Sequence, residues 1–132
     1  MSAVEFIVTV ASGTLQSQSS IVFPHQWTDG GVSVAAAFTG GHLFHLAPAG
    51  CILNDVHREA VGMDVDIDGV RVRCWGSLDT DTWQSTGVTY EVEIDSTATA
   101  AQVEAVLARV DSVAEIPKTM RSPTQIARRA AN

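Results

Sequence analysis

The spacing of hydrophobic positions predicts a strand-rich start to this chain. Residues 4–16 are rich in β-branched and aromatic side chains and are followed by a serine-rich stretch, so we predict a strand and then a turn. Two short apolar stretches, 21–23 and 32–38, flank the pair Asp29-Gly30, which favours positive φ and a hairpin. We therefore expect an antiparallel N-terminal meander.

The spacing becomes helical in the next segment. From residue 42 to residue 63, apolar positions fall on one side of a helix when each residue is rotated by ~100°. The arc contains Leu46, Ala49, Gly50, Leu53, His57 and Ala60. Pro48 leaves two alternatives open, because proline removes a helical hydrogen bond. Either the helix bends at Pro48, or its regular part starts there.

Alternation returns after this helix and predicts a strand pair. Residues 65–78 alternate around a predicted two-residue turn at Asp68-Gly69, and residues 86–94 repeat the pattern. The first strand has an apolar face that includes Cys74 and an opposite face with two arginines, while the second has two glutamates. We therefore expect ion pairs across the two strands.

A second helix and an undecided tail complete the order. Cap-forming residues at 95–97 precede helical spacing at 98–113. For residues 116–132, a last strand, a short helix and a frayed tail all remain open. We predict a single α+β domain over residues 1–132, with helices on one face of a largely antiparallel sheet.

Composition and charge exclude several classes of partner. The 132 residues are 45% hydrophobic and 17% charged, as expected for an ordinary folded protein. The net charge is −7 and the first 57 residues contain no Lys or Arg, which argues against nucleic acid and an anionic membrane surface. The sequence has no export signal, so we predict a cytoplasmic location with Cys51 and Cys74 as reduced thiols.

The stretch GGHLFHLAPAGCILNDVHREA, residues 40–60, resembles the central helix of the OsmC/Ohr superfamily. In that family a Leu- and Ala-rich run leads into a helix-borne cysteine, and a strand pair follows. The resemblance implies an OsmC-like fold of antiparallel sheets with central helices, in an intertwined homodimer with its sites at the dimer interface. It places Cys51 at the reactive position.

The chemistry that the resemblance implies is the reduction of organic hydroperoxides. Family members use a reactive cysteine, a resolving cysteine and an arginine–glutamate pair that steadies the thiolate. Here Gly41 stands at the position of the family glutamate. Ile116 precedes Pro117, where the resolving cysteine is common, and the N-terminal segment supplies no arginine.

Cys51 has two interpretations from the residues alone. Free cysteine is among the most buried residue types, so Cys51 could be a small core residue. Its helical angle is ~140° from the apolar centre, which favours a cleft or an interface. A helix that starts near Pro48 would lower the pKa of the thiol through its dipole. Arg58 lies on the same face and is a supporting candidate, whereas Asp55, one turn away, would oppose the thiolate.

Four further residues are weighed beside Cys51. His42 and His45 are candidates for the base or cation that activates it, and His42 alternatively for a hydrogen-bonded core histidine. Their spacing lacks a third ligand, so we expect no metal and no other cofactor. Cys74 is either a core residue or, if it approaches Cys51, a substitute resolving thiol. His25 is a candidate pocket residue.

Two functional hypotheses follow. The first is thiol-dependent reduction of hydroperoxides in oxidative stress defence, in which Cys51 becomes a sulfenic acid and is restored by an external thiol or Cys74. The second is a catalytically degenerate protein that binds a small apolar ligand or a partner at the dimer interface.

Overall fold

A computed structural model describes residues 3–131. Three strands come first, β1 (Ala3–Gly13), β2 (Val22–Phe23) and β3 (Val32–Ala35). They are followed by helix α1 (Gly40–Gly62), strands β4 (Gly69–Asp79) and β5 (Ser85–Asp95), and helices α2 (Ala100–Val113) and α3 (Glu115–Met120). This order confirms the predicted α+β class.

The five strands form one antiparallel sheet in the order β2-β3-β1-β4-β5. The predicted N-terminal meander is wrong in one respect, because β1 and β2 are not neighbours. β1 pairs with β3 on one side and along its whole length with β4 on the other. Since both edges of β1 are occupied, β2 pairs with the outer edge of β3.

Helix α1 packs on one face of the sheet against β1 and β4, and α2 packs on α1. The core between these layers is aliphatic, and each fully buried side chain of this kind contributes roughly 1.5–3 kcal/mol. Its main members are Val8, Val10, Ile52, Leu53, Val56, Val70, Val72, Val106 and Val110. The buried positions of β4 are those predicted from its alternation.

The outer face of the sheet carries the predicted ion pairs between β4 and β5. Arg71 Nη1 lies 2.6 Å from Glu93 Oε1, and Arg73 Nη1 lies 3.8 Å from Glu91 Oε1. These side chains are exposed, so each pair contributes at most about 1 kcal/mol.

Helix α1 starts well before Pro48. The Thr39 hydroxyl caps the helix by accepting a hydrogen bond from the His42 backbone N–H at 3.1 Å. Pro48 lies inside the helix, so the alternative of a regular helix that starts at Pro48 is wrong. Cys51 therefore lies in the middle of α1, where the dipole of the first turn does not act on it.

Two predicted boundaries also shift. The pair Asp68-Gly69 does not form a hairpin turn, because Gly69 is already paired with Gly13 and Asp95 in the sheet. Helix α2 is capped by Thr99, whose side chain accepts from the Gln102 backbone N–H, so the capping residue lies after 95–97.

The tail begins with the short helix α3, which was one of the three alternatives. Within residues 3–131, no helix is both long and apolar enough to cross a membrane.

Candidate functional site around Cys51

Cys51 lies on a face of α1 that is turned toward α3. Phe44, Pro48, Cys51 and Asp55 follow one another at spacings of four, three and four residues, which places them in one row along the helix. The half-buried sulfur of Cys51 accepts a hydrogen bond from the backbone N–H of Ile116. Its S–H points at Asp55 Oδ2, 3.8 Å away. Cys51 therefore packs against the edge of the aliphatic core and has polar groups beside its sulfur.

The Asp55 carboxylate is fully buried and held from two further directions. Arg58 Nη2 lies 3.2 Å from Oδ2, and the Asn54 side-chain amide donates to Oδ1 at 3.3 Å. Burial raises the pKa of Asp55, while the amide of Asn54 and the charge of Arg58 act in the opposite direction. The carboxylate thus has a fixed orientation beside the sulfur.

The electrostatics of the site favour a protonated thiol. Burial, together with the negative charges of Asp55 and Glu115, raises the pKa of Cys51 to about 11. Only the N–H of Ile116 acts to lower it. Arg58 is on the same face of α1, as predicted, but its guanidinium is paired with Asp55 and Glu59.

The two candidate histidines lie in the first two turns of α1. His42 Nδ1 is 2.6 Å from the Thr39 hydroxyl, and the ring is half-buried with its edge against Phe6. His45 is fully buried and donates from Nδ1 to the Gly41 carbonyl at 2.7 Å, and its ring stacks on Phe6. His45 precedes Cys51 by six residues, roughly 9 Å along the helix axis. Both rings therefore contact Phe6, and the ring of His45 also lies edge-on to Phe44.

Cys74 occupies the core position that its alternation predicted. It is fully buried on β4, between Val8 of β1 and Tyr90 of β5 in the sheet register. Burial alone raises the pKa of its thiol to about 11. Its surroundings are those of a structural cysteine.

Three side-chain atoms of the kinds that bind metal ions lie close together beside α3. The Cys51 sulfur and carboxylate oxygens of Asp55 and Glu115 all lie within 4.8 Å of one another. These residues could hold a metal ion, although Arg58 already neutralises one of the two carboxylates. His42 and His45 are not part of this group of three residues.

Cavities lie on both sides of α1. The first, which we call the α3 cavity, measures about 330 Å³ and lies between α1, β5 and α3. Its wall includes Phe44 and Pro48 from the same row of α1 as Cys51, and Tyr90 from β5. Pro117 of α3 and Arg121, which caps α3, also line it. It therefore adjoins the face that carries the thiol.

The second, which we call the histidine cavity, measures about 390 Å³ and lies between α1 and the β2–β3 region. Its wall is apolar apart from His25 and Asn54, so His25 is a pocket residue as predicted. His25 Nε2 lies 3.2 Å from Asn54 Oδ1, and Nδ1 lies 2.8 Å from the Thr28 hydroxyl. Asn54 thus connects this cavity to the Asp55 carboxylate.

The departures from the family pattern have structural counterparts. A Cβ at Gly41 would overlap the ring of Phe6, so the position has no space for the family glutamate. Ile116 stands where a resolving cysteine is common, and its backbone N–H hydrogen-bonds to the Cys51 sulfur.

One contact of the site could be expected from the sequence, and the contacts made by α3 could not. The spacing of four residues from Cys51 to Asp55 was a local signal for their contact. Glu115 and Ile116 gave no local signal, because α3 reaches the thiol only through the tertiary fold.

Known proteins resemble this chain in fold and in family. Comparison with curated proteins finds no match. Among solved structures, the chain resembles an OsmC-like hydroperoxide resistance protein from Jannaschia sp. CCS1, with 11% identity and a TM-score of 0.63. The alignment covers 97% of this chain and 94% of the other, which supports the fold. A profile of the OsmC-like protein family matches residues 30–128, which span the whole of α1, β4, β5, α2 and α3. The chain therefore belongs to the OsmC-like protein family.

Proposed function

We propose that this protein reduces organic hydroperoxides through Cys51, with an external thiol as the reductant. The observation that carries the proposal is the position of the Cys51 sulfur, which is half-buried at the edge of the core with Asp55, Glu115 and the N–H of Ile116 beside it. The structural relative from Jannaschia is named a hydroperoxide resistance protein, which supports the same reaction class.

The proposed cycle has three balanced steps. The Cys51 sulfur bonds to the terminal oxygen of the hydroperoxide while the O–O bond breaks, which gives a sulfenic acid and an alcohol. One external thiol then condenses with the sulfenic acid, giving a mixed disulfide and water. A second external thiol attacks that disulfide and restores Cys51.

An external thiol fits this site better than Cys74 does. Cys74 is fully buried in β4, and a resolving thiol has to reach the oxidised sulfur. The position next to Cys51 on α3 is occupied by Ile116, which has no thiol to offer. An external thiol can act as the reductant only in reducing surroundings, and Cys51 and Cys74 are both unpaired, as is usual there. The proposal therefore includes a cytoplasmic location.

Trapping of the sulfenic acid tests this function. The protein is treated with one equivalent of cumene hydroperoxide and a sulfenic-acid reagent, and mass spectrometry locates the adduct. We expect the adduct on Cys51 in the wild type and in Cys74→Ser, and no adduct in Cys51→Ser. An unmodified Cys51 in the treated wild type would rule out the peroxidase function.

The histidine cavity supports a second candidate, a family member that binds a small apolar molecule without redox chemistry. Its volume and apolar wall fall within the range of ligand sites. A Cβ at Gly50 would meet no atom within 4 Å, so Gly50→Leu has room for its Cβ and is expected to extend from the wall of the cavity. An apolar fluorescent probe that binds the wild type and not Gly50→Leu, together with an unreactive Cys51, would favour this candidate.

A further inference from the structure

We propose that Asp55 takes the proton of Cys51 and passes it to the leaving alkoxide during hydroperoxide reduction, and that Asn54 and His25 position its carboxylate. The inference rests on the proposed function and names residues that act in that site. A continuous chain of hydrogen bonds from the sulfur to the histidine cavity carries it.

The direction of each hydrogen bond in the chain follows from its neighbours. The Cys51 S–H points at Asp55 Oδ2, and Oδ1 accepts from the Asn54 amide nitrogen. The Asn54 oxygen therefore points away from Asp55, and it accepts from His25 Nε2 at 3.2 Å. On its other side, His25 is held by the Thr28 hydroxyl at 2.8 Å. These contacts keep one oxygen of the carboxylate directed at the sulfur.

The reaction needs such a proton acceptor. The thiolate is the nucleophile, but burial raises the pKa of Cys51 to about 11, so thiolate is scarce at neutral pH. Burial also raises the pKa of Asp55, which makes its carboxylate a stronger base than that of an exposed aspartate.

Asp55 is a better candidate than Glu115, the other carboxylate beside the sulfur. Asp55 is fully buried and is fixed by Arg58 and Asn54. Glu115 is exposed at the start of α3, although its side chain also hydrogen-bonds to Cys51. The two residues place similar charge near the thiol, and this similarity makes Glu115→Gln a matched control.

The proposed step conserves atoms and electrons. The Cys51 proton moves to Asp55 Oδ2 as the sulfur bonds to the terminal oxygen of the hydroperoxide. The O–O bond breaks, the alkoxide takes the proton from Asp55, and the products are a sulfenic acid and an alcohol. The sulfur loses two electrons and the peroxide gains them.

Two reactions of Cys51 separate this role from a structural one. Oxidation by one equivalent of cumene hydroperoxide needs a proton for the alkoxide, whereas alkylation by iodoacetamide releases iodide, which needs none. We expect Asp55→Asn to slow oxidation roughly 100-fold, the usual contribution of general acid–base catalysis. Alkylation should be unchanged or faster, because removal of a negative charge lowers the pKa of the thiol. Glu115→Gln removes a negative charge beside the same thiol and should speed alkylation and oxidation alike, so that only Asp55→Asn slows oxidation.

The outcomes separate this inference from the proposed function. If the wild type forms a sulfenic acid and Asp55→Asn forms it equally fast, the role of Asp55 is overturned while the function stands. A parallel fall of oxidation and alkylation in Asp55→Asn would also overturn it, because the delivery of a proton to the alkoxide, which alkylation does not need, would then contribute nothing. If the wild type forms no sulfenic acid, both proposals fail.

His25 is tested as a positioning residue in the same two assays. We expect His25→Ala to slow oxidation by less than Asp55→Asn does, and His25→Gln to restore it, because a glutamine amide can donate to Asn54. A His25→Gln variant as slow as His25→Ala would overturn the positioning role.

Discussion

His57 is a buried titratable residue whose charge state depends on its surroundings. Its Nε2 lies 2.7 Å from the hydroxyl of Ser12, which is fully buried, and its ring lies 5.5 Å from that of His25. Burial, followed by the charge of His25, lowers the pKa of His57 from 6.5 to about 4. The folded protein therefore keeps this histidine neutral over a range in which the unfolded chain protonates it.

This difference predicts how stability depends on pH. Between pH 6.5 and about 4 the unfolded chain binds a proton at His57 and the folded chain does not, so the free energy of unfolding falls as the pH falls. The His57 contribution to this loss is about 3 kcal/mol at most. Urea unfolding at pH 7 and pH 4.5 should show a larger loss for the wild type than for His57→Gln, which cannot titrate. Equal losses in the two proteins would contradict the assignment.

Gly41 shows how a single side chain contact sets what the site can contain. A Cβ at this position would overlap the ring of Phe6, so Gly41→Ala should lower the free energy of unfolding by about 1–3 kcal/mol. The neighbouring Gly40 has no atom within 4 Å of such a Cβ, and Gly40→Ala should remain within about 1 kcal/mol of the wild type. Chemical denaturation of the three proteins measures the difference. Two equally stable variants would show that Phe6 yields without cost.

At the scale of elements, the contact between α1 and α3 determines the chemistry available to Cys51. The backbone N–H of Ile116 hydrogen-bonds to the sulfur, so we expect a second thiol at this position to come within reach of oxidised Cys51. We expect Ile116→Cys to form a disulfide with Cys51 after one equivalent of hydroperoxide, leaving Cys74 as the remaining thiol.

The matched control for this prediction is Lys118→Cys, which places a thiol on an exposed position of the same helix. Titration of free thiols before and after oxidation, followed by non-reducing peptide mapping, measures the result. The prediction is wrong if Ile116→Cys and Lys118→Cys retain the same number of thiols.

The elements also show what the sequence could predict. Local spacing was sufficient for α1, for the β4–β5 pair and for the position of Cys51 outside the apolar arc. It was not sufficient for the start of α1, because Pro48 allowed a later start than the one that Thr39 caps. The protonation state of Cys51 was also out of reach, since burial and contacts with α3 determine it.

At the scale of the whole molecule, a patch of exposed apolar side chains lies along the β2–β3 edge and the start of α1. Phe38 is 91% exposed and Phe23 is 55% exposed, and Ile21, Val22 and Leu43 surround them. The patch borders the histidine cavity and an adjoining groove of about 190 Å³. Exposed patches of this kind on folded chains commonly mark interfaces.

We propose that this patch is covered by a second copy of the chain, as the resemblance to the OsmC/Ohr superfamily implied. Light scattering after size exclusion should then give twice the chain mass of 14.0 kDa. A buried charge at the centre of an apolar interface is costly, so Phe38→Asp should shift the mass toward that of one chain. Ile126→Asp introduces the same charge at a residue that is 94% exposed outside the patch, and it should leave the mass unchanged. A wild-type mass of 14.0 kDa would refute the dimer, and it would leave the apolar side chains of the patch in contact with water.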